Sequence, residues 1–208
     1  MLKVFTLEKN EEWDKIVKSF KDYDTYYLSG YVKAFKIHGD GEPLLFYYED
    51  KEVRGINVVI KRDIAEDSWF KEKLEKNKYF DLTTPYGYGG WLIEGENSEE
   101  LMNKYEKWCR KRNIISEFVR FHPVIENHKV NETNYDVVKL GEVITMDLTS
   151  SEIVFDNLIS QNRNKIRKAM KNDVKIYNGR FKDIYRQFKV IYDETMDKDE
   201  AECNCYHR

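Results

Sequence analysis

Two strand-like runs, Leu44–Tyr48 and Val53–Ile60, are separated only by the polar stretch Glu49-Asp50-Lys51-Glu52. A connection that short joins antiparallel neighbours, because a parallel crossover needs a dozen residues or more. Helical patterns surround this hairpin. Trp13, Ile16, Val17 and Phe20 recur at helical spacing behind Asn10, which reads as their cap, and Tyr31–Ile37 reads as a second short helix. Ser68–Lys76 reads as helical. Ser98 reads as the cap of a long helix through Arg112, with Leu101, Tyr105, Trp108 and Cys109 on its apolar side. Further strands are expected at Val4–Leu7, Tyr79–Leu82, Ile114–Phe121, Tyr135–Val138 and Val143–Leu148. Hairpins mixed with strand–helix alternation predict an α/β fold, a mixed sheet flanked by helices.

An organisational boundary is expected near residue 150, dividing residues 1–149 from residues 150–208. Thr149-Ser150-Ser151-Glu152 has the pattern of a capping box. A helix is expected across Phe155–Ala169, then a strand at Val174–Tyr177 and a helix at Phe181–Met196 with Ile184, Phe188, Ile191 and Tyr192 on one face. One strand and one helix cannot bury their own apolar faces, so this part is expected to dock on the first domain or on a partner.

A net charge of −3 points to neither nucleic acid nor membrane. The distribution is less even: Gln161–Lys189 carries ten lysines and arginines against Asp173 and Asp183. Such a block attracts phosphates, or serves as an ordinary solvated face. Three cysteines, Cys109, Cys203 and Cys205, make no disulfide framework and fit a reducing compartment. The N-terminal stretch turns polar too early for a signal peptide, and no run approaches a membrane span, so the expected location is cytoplasmic.

Three constellations bear on chemistry. Arg163 and Arg167 lie four residues apart, at the margin of an apolar arc formed by Phe155, Ile159, Ile166 and Met170, with Asn162 inside it. A half-buried arginine there would aim its fork at phosphate or carboxylate; otherwise its stem snorkels at a helix margin. Thr83-Thr84-Pro85-Tyr86-Gly87-Tyr88-Gly89-Gly90 places Tyr86 and Tyr88 in a backbone free to approach something closely, or is simply a turn between strands. It lacks the Gly-Lys-Ser/Thr of a phosphate loop. In Ser116-Glu117-Phe118-Val119-Arg120-Phe121-His122-Pro123, Arg120 and His122 share a strand face, and His or Glu is a candidate base for amine acylation. His122 is equally a satisfied structural residue. Cys203-x-Cys205-x-His207 has too few ligands for a closed zinc site, so no metal is expected.

Taken in order, Tyr-Gly-Tyr-Gly-Gly, Arg-Phe-His-Pro, Asn-Arg-Asn-Lys-Ile-Arg-Lys-Ala and Ile-Tyr-Asp-Glu-Thr-Met resemble the FemAB-like branch of the GNAT acyltransferases, across about residues 25 to 200. The resemblance implies two GNAT-like domains in tandem. It also implies transfer of an acyl or aminoacyl group, from acyl-CoA or aminoacyl-tRNA, to an amine of a cell-wall precursor or sugar-nucleotide-like acceptor. It places Tyr86, Tyr88, Arg163, Arg167 and Tyr192 near the acceptor. The pyrophosphate loop of that superfamily, Gln/Arg-x-x-Gly-x-Gly/Ala, is absent, and after Asp197-Lys198-Asp199 the family pattern is lost. The expectation is a truncated or frame-shifted member without a donor site. A non-catalytic acceptor-binding module and an RNA-binding fragment are the alternatives, with oligomeric state left open.

Overall fold

The computed structural model describes residues 1–200. The chain divides into two compact units, residues 1–141 and residues 142 onward, a division earlier in the chain than the expected 149/150. Cys203, Cys205 and His207 lie outside the described residues.

Unit 1 is an α/β structure on a six-stranded mixed, open sheet. Its strands are β1 (Leu2–Phe5), β2 (Glu42–Glu49), β3 (Arg54–Asp63), β4 (Phe80–Thr83), β5 (Leu92–Glu94) and β6 (Ile114–Phe118). Their order is β1-β2-β3-β4-β6, with β5 also pairing β3. Every pairing is antiparallel except β4 with β6. The β2–β3 hairpin forms as expected, and Asp50 fixes its turn by accepting from the backbone N–H groups of Glu52 and Val53, both at 2.9 Å. In the parallel pair, Phe80 faces Ile114 but Asp81 faces Ser116, so Ile115 is an extra residue bulged out of the ladder.

Three α-helices cover the sheet: α1 (Asn10–Val17), α2 (Ser29–His38) and α3 (Glu99–Arg110). Strand alternation sorts β2 and β3 onto two faces. Leu45, Ile56, Val58 and Ile60 pack with Trp13, Val17 and Phe20, and with Val32 of α2. Leu44, Phe46, Tyr48 and Val59 pack with Trp91 and with Leu101 and Tyr105 of α3. The first face is locked by Trp13, whose indole Nε1–H donates to Tyr27 O at 2.8 Å. Asp14 of α1 accepts the first amide of α2, Ser29 N, at 2.8 Å.

Several local expectations are overturned. Asn10 is the first residue inside α1, whose cap Lys9 makes no side-chain bond. Ser98 makes no cap bond either; Asn97 Oδ1 takes the Glu99 amide at 3.0 Å. Ser68–Lys76 is a run of turns. Asp67 pins them with its own carbonyl and with Oδ1, which accepts from Trp69 N. Leu74 alone in that stretch is half-buried, so a helix would have had no face to bury. Tyr135–Val138 and Val143–Leu148 form no strands. Their alternation is real, but Val138, Leu140 and Ile144 are exposed and no ladder partner meets them.

Unit 2 contains α4 (Ser151–Asn157), α5 (Ser160–Lys171) and α6 (Lys182–Lys198), making six α-helices among the described residues. No residue of these three helices is buried. Ser150, not Thr149, caps α4, accepting from Ile153 N at 3.2 Å. The single helix expected across Phe155–Ala169 is broken, because Leu158 and Ile159 are extended. Arg163 Nη1 donates to the freed Asp156 carbonyl at 3.2 Å, which satisfies one of the orphan acceptors at the end of α4. Phe155 and Ile159 therefore share no helical arc with Ile166 and Met170, and Asn162 is exposed. Val174–Tyr177 is not a strand, so no described residue supplies the opening strand of a second sheet. Among the described residues no helix is long and apolar enough to cross a membrane.

Candidate functional site

Because β4 and β6 run parallel, their carboxyl ends emerge side by side. In open α/β sheets that edge is where ligands bind. Here it brings together two motifs distant in the chain, the loop 84–90 after β4 and the loop 119–123 after β6. The loops are stitched to one another. Thr84 N donates to Phe118 O at 3.0 Å, Gly89 N to Arg120 O at 2.8 Å, and Arg120 N to Thr84 Oγ1 at 3.3 Å. Asn127, almost fully buried, completes the seam. Its Oδ1 accepts from His122 N at 2.8 Å and its Nδ2 donates to Gly89 O at 2.9 Å.

The glycines serve the protein's own rings. Gly87 has φ +109°, and a Cβ there would sit 2.3 Å from Tyr26 Cε1. Gly90 has φ +89°, and its Cβ would meet Phe121 and Val119 at 2.9 Å. The close approach that the Gly-rich stretch allows is filled from within the chain.

The surface over this seam is aromatic. Tyr26 sits edge-on to Tyr31 (centroids 5.2 Å apart) and to Tyr88 (5.6 Å), and Tyr88 lies 5.3 Å from the His122 ring. Tyr31 donates its hydroxyl to Tyr86 O at 2.6 Å. The Tyr86 side is open, with the residue 74% exposed. The Arg120 guanidinium lies 5.6 Å from the Tyr86 ring centroid and 5.7 Å from that of Phe118. Among the described residues no carboxylate pairs with Arg120, so its charge faces solvent between two rings.

His122 is buried while Arg120 is exposed; the strand ends at Phe118, and its alternation goes no further. The ring of His122 is fully engaged. Nδ1 accepts from Val124 N at 3.2 Å and Ile125 N at 3.1 Å, and Nε2 stands 3.2 Å from Asp24 Oδ2. Two backbone donors on Nδ1 require its lone pair there, which puts the ring proton on Nε2, donated to Asp24. No lone pair is left to take a proton from an acceptor amine, so in this arrangement His122 is a structural residue and not a base.

Glu117, the other candidate base, points to the opposite face. Its carboxylate accepts from Asn57 Nδ2 at 3.0 Å and from the hydroxyls of Tyr105 and Tyr135, each at 2.9 Å. Burial pushes its pKa up, against the lowering effect of those three donors. Cys109 beside it is pushed up to about 12, by burial first and then by Glu117, which makes it an inert thiol. Both belong to the packing of α3 on the sheet.

Of the expected site residues, Tyr86, Tyr88, Arg120 and His122 come together on unit 1. Arg163, Arg167 and Tyr192 belong to unit 2. Arg163 and Arg167 stand one turn apart on α5; Arg167 Nη1 donates to Asn164 Oδ1 at 3.2 Å and lies 5.1 Å from the Phe155 ring centroid. Tyr192, on α6, packs its ring 5.7 Å from that of Phe188. Asp24, Tyr26 and Asn127 were not legible as site residues. Asp24 and His122 are 98 positions apart, and no local spacing links them. Among the described residues no three His, Cys, Asp or Glu side chains gather as a metal would need. Compared with protein-family models, with curated proteins and with solved structures, the chain matches none of them.

Proposed function

We propose that unit 1 is an acceptor-binding module of the N-acyltransferase type, seating an anionic acceptor that carries an amine. The observation that supports this most directly is the unpaired Arg120 guanidinium held between Tyr86 and Phe118 at the ends of the parallel strands. A guanidinium fork suits phosphate or carboxylate, and flanking rings suit a planar group such as a base or sugar face. The acyl-transfer part of the reading comes from the motif order, with acyl-CoA or aminoacyl-tRNA as the donor class. The site itself supports binding more than chemistry, because neither His122 nor Glu117 is placed to accept a proton. Calorimetry with a nucleotide-sugar diphosphate tests it. Arg120→Ala should weaken binding about tenfold, the loss of one charge-assisted contact. Equal affinity in the variant removes the reading. Incubation with acyl-CoA and an amine-bearing acceptor separates binding from turnover.

A second reading has its own observation: α5 carries Arg163, Lys165, Arg167, Lys168 and Lys171 and no acidic residue. That concentration of positive charge would suit an RNA backbone, tRNA included. Affinity for RNA that does not fall with added salt would exclude it.

A further inference from the structure

Asp24 carries the one half-exposed carboxylate at the aromatic surface just described. Its side chain is 35% exposed, and its only ion-pair candidate among the described residues is His122. Because Nδ1 of His122 accepts two backbone N–H groups, the contact with Asp24 is a hydrogen bond from a neutral ring. The negative charge of Asp24 is therefore left uncancelled. The rings of Tyr26 and Tyr88 lie 6.0 and 5.3 Å from the His122 ring that Asp24 engages. No hydrogen bond in the described structure engages the hydroxyl of Tyr26 or of Tyr88. A half-exposed carboxylate with aromatic rings close by has the components of an organic-cation site.

We infer that Asp24, with the rings of Tyr26 and Tyr88, is an ammonium-binding site, and that together with Arg120 it selects a dipolar ligand. This rests on the reading of Arg120 as the anion seat. Arg120 and His122 lie two residues apart in the same loop. Asp24 is one hydrogen bond beyond His122. The ligand class is thus a primary amine that also carries an anionic group, as in an amino sugar phosphate or an ω-amino acid. Charge on both ends disfavours simple amines and simple acids alike, which gives the module selectivity for an acceptor that carries its own anion.

The test is calorimetry and NMR titration of the full chain with a graded series of ω-amino carboxylates, with alkylamines and alkyl carboxylates as single-charge controls. The expected result is tightest binding at intermediate length. Asp24→Asn should weaken the amines and amino acids about tenfold and leave the alkyl carboxylates unchanged. An asparagine oxygen still accepts from His122 Nε2, so the fold should hold, and a tryptophan-fluorescence melt checks it. If the variant unfolds, Tyr88→Leu replaces it, judged by the same loss for amines alone. Independently, alkylamine should shift the ring protons of Tyr26 and Tyr88 in the unaltered protein. If amines ignore Asp24→Asn while carboxylates still depend on Arg120, the ammonium site is wrong and the anion seat stands. If amines depend on Asp24 but carboxylates ignore Arg120→Ala, the anion seat is wrong and the ligand is a simple cation. If no probe binds, both fall.

Discussion

Asn127→Ala is the perturbation that most directly tests how the two loops are held. Asn127 Oδ1 is the acceptor for His122 N, and Nδ2 is a donor to Gly89 O and, more weakly, to Trp91 O at 3.3 Å. Alanine leaves the His122 N–H and the Gly89 carbonyl without these partners. Trp91 O keeps Asn131 Nδ2 at 3.1 Å. Each buried orphan costs about 1–3 kcal/mol. Two orphans sharing one seam are not fully additive, so the expected loss is about 2–4 kcal/mol. For a unit of this size that is a fall in Tm of roughly 6–12 °C. The readout is selective, because all four tryptophans, Trp13, Trp69, Trp91 and Trp108, lie in unit 1. Asn127→Asp should be at least as damaging, since it keeps the acceptor but sets a charge against Gly89 O. Asn134→Ala, at an exposed position, should change stability by less than about 0.5 kcal/mol. A fall under about 2 °C for Asn127→Ala would show that water or a small shift replaces the bonds, and the description of the seam would be wrong.

Glu117 has a folded-state pKa above its ordinary 4.5, with burial the largest cause. Its contribution is therefore full below 4.5 and is lost as pH rises through the folded value. Glu117→Gln should flatten that part of the profile, read as a difference between variant and parent because Asp50, lowered to about 2, and other paired carboxylates act in the opposite sense. A parallel pair of profiles would exclude it. Gly87→Ala forces a left-handed backbone on a residue with a Cβ and drives that carbon into Tyr26, so a loss of about 3 kcal/mol or more is expected in urea unfolding. Ser150→Ala removes the cap of α4 and should cost that helix about 1 kcal/mol, seen as faster exchange of the Ile153 amide.

What could be read from the sequence was set by period. The β2–β3 hairpin and helices α1, α2, α3 and α6 follow from apolar spacing, because each of those patterns specifies its own local structure. Caps were misassigned at Asn10 and Ser98, since several neighbouring polar residues compete for one amide. Tyr135–Val138, Val143–Leu148 and Val174–Tyr177 show the complementary limit. Alternation states which side of a strand is apolar, but a strand needs a partner, and the partner is not encoded nearby. The helix break at Leu158–Ile159 was hidden because apolar spacing continued through it. At the site, Tyr86, Tyr88, Arg120 and His122 were marked by local composition. Asp24 and Asn127 act through contacts with distant segments, and the role of His122 as a structural ring depends on the amides of Val124 and Ile125, which spacing cannot show.

The extra residue in β6 sets the phase of everything after it. With Ile115 bulged out, Glu117 stands opposite Leu82 and Phe118 opposite Thr83. Were the ladder to run on without that slip, the same sequence would advance by one position, and a one-residue shift exchanges the faces of a strand. Glu117 would then stand opposite Thr83 on the other face, and Ser116 would enter the place opposite Leu82 now filled by a carboxylate with three donors. Ile115 is accordingly the residue whose removal should straighten the strand without moving either neighbour. Deletion of Glu117, by contrast, would keep the bulge and bring Phe118 opposite Leu82, a ring in the place of the carboxylate.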